Sequence, residues 1–166
     1  MASQLTADDA RQSLTAHVAA KGAEINAKYG PEIGWSELRA LLNDRAFVRY
    51  PCELRFDAMP LQPGEFAHAV AKGESPGDGF IMHVHPVYMS DLPTVPALVL
   101  YQLVAVNYGE FASAGDAEAF GAAALGMDRE DYYILLCNMA DRLGGGGEGP
   151  PDPGHGGGCS GCCTCA

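Results

Sequence analysis

The sequence predicts an α+β domain: two N-terminal helices, a small antiparallel three-stranded sheet and about three C-terminal helices, followed by a disordered Gly/Cys-rich tail. Three observations predict it. Stretches with helical apolar spacing and polar caps occupy both ends of the body. Three short β-compatible segments separated by turn clusters lie between them. At residue 144 the composition changes abruptly to glycine, proline and cysteine.

In the first helix Thr6 is placed to cap the chain, with Asp9 three residues on. Leu14, Val18, Ile25 and Tyr29 then mark one face, and Gly30-Pro31 stops the run. A second, short helix is expected over 36–43, with Trp35, Leu38, Leu41 and Leu42 as its apolar residues. The β-compatible segments are 48–58, 65–71 and 79–86, divided by the turn clusters 59–64 and 73–78. In the first of them Cys52, Leu54 and Phe56 alternate with Glu53 and Arg55, the period of a half-buried strand. Short connections favour an antiparallel meander.

Beyond Pro93 and Pro96 the stretch ALVLYQLVAVNYG is apolar almost all round, which predicts a central buried helix; its valines make a buried strand the competing assignment. Ser113 and Asp116 cap a helix of small residues that Gly126 closes. Asp128 caps a last helix ending at the glycine run, in which Cys137 reads as a small buried hydrophobe and Tyr132 and Tyr133 as core and rim.

Composition bounds the function. The chain has 166 residues, 48% hydrophobic and 19% charged, enough to build a core. Its 21 acidic residues against 10 basic ones give a net charge of −11, which disfavours nucleic acid and anionic membrane surfaces as partners. No uninterrupted run of about 18 apolar residues suggests a membrane span, and the first residues lack the basic-then-apolar layout of a secretory signal. The expected location is cytoplasmic. Phosphate-binding glycine loops, a G-x-S-x-G elbow and an H-E-x-x-H helix are all missing from the sequence.

Two features carry chemistry. Cys159, Cys162, Cys163 and Cys165 form C-x-x-C-C-x-C within the last eight residues, four residues after His155. Neighbouring cysteines close no long loop, so a disulfide scaffold does not explain them. Thiolates suit soft cations, so zinc or copper is the expected ligand and an iron–sulfur centre the alternative. The spacing differs from the two separated pairs of a structural zinc ribbon. The body is assigned to 1–143, and 144–166 to a Gly/Pro-rich linker with a metal-binding end. In composition this tail resembles the Cys/His/Gly-rich extensions of bacterial metallochaperones, which implies metal trafficking and a recipient protein as partner.

The second feature is His83-Val84-His85. In a strand these imidazoles share a face, and His68 on the neighbouring segment is a third candidate ligand if the register allows. A metal-dependent enzyme centred on His83 and His85 is the third reading. The second is a modified-peptide precursor: residues 155–166 are rich in Cys, Ser and Thr, and the whole resembles the leader–core plan of ribosomally made, modified peptides. That plan implies a modifying enzyme as partner.

Overall fold

The computed structural model describes residues 6–144; the tail assignments, with Cys159, Cys162, Cys163, Cys165 and His155, lie outside the described residues. Among the described residues, five α-helices and a three-stranded sheet follow the α+β order. Helix α1 (Ala7–Tyr29) starts at Thr6, whose hydroxyl accepts from the Asp9 amide at 3.2 Å while the Asp9 carboxylate accepts from the Thr6 amide at 2.9 Å. Val18 and Ile25 face inward from it. Helix α2 (Trp35–Leu42) buries Leu38, Leu41 and Leu42; the Glu37 carboxylate accepts from the Gly34 amide at 3.1 Å, filling an orphan donor at its start.

Strands β1 (Cys52–Phe56), β2 (Ala67–Ala71) and β3 (Phe80–Val84) fall inside the three expected segments, but they do not form an antiparallel meander. Their order is β1-β3-β2, with β1 parallel to β3 and β2 antiparallel to it. The physical reason lies in burial. Met82, His83 and Val84 of β3 are all buried, whereas β1 exposes Glu53 and Arg55 and β2 exposes Val70 and Ala71. The strand with least affinity for water takes the centre, and the two with polar or short faces take the edges. Residues 57–66 must then pass the end of β3 at Val84 to link the two edges.

Helix α3 (Val95–Tyr108) resolves the helix-or-strand ambiguity in favour of helix. All its residues except Ala105 and Tyr108 are buried, because the sheet packs on one side and α4 (Ala114–Leu125) on the other. Burying Leu98, Leu100 and Leu103 contributes about 2 kcal/mol each. By length and mean hydropathy the stretch Leu92–Phe111 could cross a membrane, yet Thr94, Gln102, Asn107 and Glu110 interrupt its apolar residues and 67% of its most apolar window is buried inside the fold.

Helix α4 begins at Ser113 with the expected Asp116 box and ends at Gly126, whose φ of 66° lies in the left-handed region. Its small residues let neighbours approach closely. Gly22 of α1 lies against the Phe120 carbonyl and the Ala123 methyl, and Gly121 lies under the Tyr132 ring. Polar ties secure both ends of the α1–α4 pair: Thr15 donates to Asp116 at 2.6 Å, and Asn26 to the Ala124 carbonyl at 3.0 Å. Helix α5 (Arg129–Gly144) starts where Asp128 accepts from the Glu130 amide at 2.8 Å. It buries Tyr132 and Cys137, and the Tyr132 hydroxyl donates to the Ala97 carbonyl at 2.7 Å.

Candidate functional site

The pleat sorts the sheet into two faces. Met82, Val84, Leu54, Phe56, Ala67 and Ala69 point to the core, so His83, His68 and Arg55 share the opposite face. The register places them in one row: Arg55 beside His83 on the parallel side, His68 directly opposite His83 on the antiparallel side. At the ends of the β2–β3 ladder the His85 amide donates to the Phe66 carbonyl at 2.8 Å and the Lys72 amide to the Gly79 carbonyl at 2.9 Å. Counting inward from these bonds, His68 and His83 form a hydrogen-bonded pair, with Cα atoms about 5.5 Å apart.

The pair that the register brings together is thus His68 with His83. His85 stands one residue beyond β3, where its Nδ1 accepts from the Val87 amide at 3.2 Å and caps the turn Pro86–Ser90. That bond occupies one of its two ring nitrogens in local structure.

His83 is 6% exposed, and its Nδ1 has no hydrogen-bond partner among the described residues. The closest carboxylate is Asp57, with Oδ2 at 3.8 Å, too far for a hydrogen bond. Asp57 reaches this place because its amide donates to the Val84 carbonyl at 3.1 Å, carrying the β1 ladder one residue past its end. Sequence reasoning passed over Asp57; its place just after a strand of the same face was the available signal. Among the described residues no three His, Cys, Asp or Glu side chains form a group able to hold a metal ion.

No family model, curated protein or solved structure matches this chain.

The two cysteines of the body are both withdrawn from solvent. Cys52 is half-buried on the core face of β1, and burial pushes its thiol up to about 11, against a smaller opposing pull from Lys72. At neutral pH it is a thiol, a poor nucleophile and a poor metal ligand. Cys137 is buried in α5, as its apolar setting in the sequence implies.

Proposed function

We propose that this protein captures a thiophilic metal ion, zinc or copper, through Cys159, Cys162, Cys163 and Cys165 with His155 as an additional donor, and passes it to a recipient protein. The observation that carries the reading is the density of soft donors: four thiols and an imidazole within the last twelve residues of the sequence. The chemistry of the body supports it. With Cys52 held as a thiol by burial and Cys137 enclosed, the cysteines of the body do not compete for the metal.

Capture requires each coordinating thiol, with a reference pKa of about 8.5, to ionise, so binding releases protons and weakens as pH falls. Neighbouring thiolates permit exchange by substitution of one sulfur at a time, which suits transfer better than permanent storage. The test is anaerobic titration of the fully reduced full-length chain with Zn²⁺ and Cu⁺, beside a variant with the four cysteines replaced by serine. Tight stoichiometric binding that disappears in the variant supports the reading. Binding that survives points to His68 and His83 and overturns it. The intact mass of protein from its own host completes the test: loss of one water for each Cys, Ser or Thr in 155–166 would mark them as substrates of a cyclising enzyme.

A further inference from the structure

We propose that the groove between the free edge of β1 and helix α2 binds an extended acidic peptide segment of a partner protein, taken up as an additional strand. The histidine pair does not line this groove.

The edge is open in the sense that matters for strand addition. Phe80 donates to the Pro51 carbonyl at 2.7 Å and Asp57 to the Val84 carbonyl at 3.1 Å, so the odd-numbered residues of β1 spend their backbone groups on β3. Cys52 and Leu54 therefore turn their N–H and C=O groups the other way. No strand pairs with that side among the described residues. Beside it runs a groove of about 390 Å³. Cys52, Glu53 and Leu54 line it in succession, so the edge of the strand, and not one face, forms the wall.

The opposite wall is helical. Trp35, Arg39 and Leu42 fall at i, i+4 and i+7 of α2, a single stripe, and all three line the groove. An edge strand facing a helix stripe offers backbone hydrogen bonds on one side and side-chain pockets on the other, the arrangement by which sheets accept a peptide strand.

Charge selects the occupant. Arg39, Arg45 and Lys72 line the groove of a chain with a net charge of −11. Arg39 and Arg45 make no ion pair among the described residues. The carboxylate in the lining, Glu53, is already held by Arg55 and Lys72, each at 2.9 Å. Two uncompensated guanidinium groups beside a tryptophan and two leucines call for Asp or Glu alternating with apolar residues. The acidic stretch GEGPPDP of this chain fits poorly, because Pro150, Pro151 and Pro153 lack the amide a strand must donate. A second copy of β1 would set Arg39 and Arg45 against themselves.

The experiment uses the full-length protein and Trp35, the single tryptophan of the chain, as reporter. The probe is an acetylated and amidated octapeptide of alternating Glu and Val; its Lys–Val counterpart is the control. The Glu–Val peptide is expected to shift Trp35 emission saturably below about 1 mM, more weakly as salt rises, and to slow amide exchange at Cys52 and Leu54. The pair Arg39→Glu and Arg45→Glu is expected to weaken binding about tenfold or more; Arg39→Gln with Arg45→Gln gives the same direction should the reversal impair folding. No saturable shift, an equal response to the Lys–Val peptide, unchanged affinity in the folded variants, or binding without protection of those amides overturns the proposal.

Discussion

His68 and His83 face each other across the β2–β3 ladder, on the side of the sheet turned away from the core. His83 is nevertheless buried, with its Nδ1 unpartnered among the described residues. A buried polar atom without a partner lowers stability, so His83→Leu is expected to leave the unfolding free energy within about 1 kcal/mol of the parent or to raise it. Urea denaturation checks this. A loss of about 3 kcal/mol would instead show that the imidazole is a structural hydrogen-bonding group.

Asn107 is the instructive contrast. It is also buried, but its Oδ1 accepts from the Arg49 amide at 2.9 Å and its Nδ2 donates to the Phe47 carbonyl at 2.7 Å, fixing the approach to β1 against α3. Asn107→Ala leaves both backbone groups without their partner and is expected to cost about 2 kcal/mol or more in the same assay.

Gly22→Ala tests the close α1–α4 approach. A methyl group there meets the Phe120 carbonyl and the Ala123 methyl, both on a packed helix that cannot yield cheaply. The expected cost is about 1–3 kcal/mol by thermal or chemical unfolding, although alanine is the better helix former. An unchanged or raised midpoint would show that the helices slide apart freely.

Asp44 makes stability depend on acid. The Lys28 ammonium at 2.6 Å, then the Ala46 amide and the Tyr29 hydroxyl, hold its carboxyl down at about 2. A lowered folded-state value means the contribution is present above the unfolded carboxylate range and is lost as pH falls from about 4 toward 2. Asp44→Asn is therefore expected to be less stable at pH 7 and to lose less than the parent between pH 4 and pH 2, measured by melting temperature. Equal losses in both proteins would remove Asp44 from the account.

The helical parts of the fold were legible because their signals are local. Thr6 with Asp9 and Ser113 with Asp116 are contacts three residues apart, and both boxes form. The sheet order was not, since a parallel β1–β3 pair joins residues far apart in sequence, and alternation in β1 tells which side faces the core without naming the neighbour. The same gap hid the His68–His83 pairing and the placement of Asp57. Trp35, Arg39 and Arg45 read as ordinary residues of a short helix and its exit; what they share is a strand edge, which no window of sequence contains.

Co²⁺ binding under anaerobic conditions tests the central claim most directly, because sulfur-to-cobalt charge-transfer absorption reports thiolate coordination itself. The reduced full-length chain is expected to develop this absorption, Zn²⁺ to displace it, and serine at Cys159, Cys162, Cys163 and Cys165 to abolish it while Cys52→Ser does not. A spectrum without charge-transfer bands, or one unchanged by the four serine substitutions, would contradict the claim.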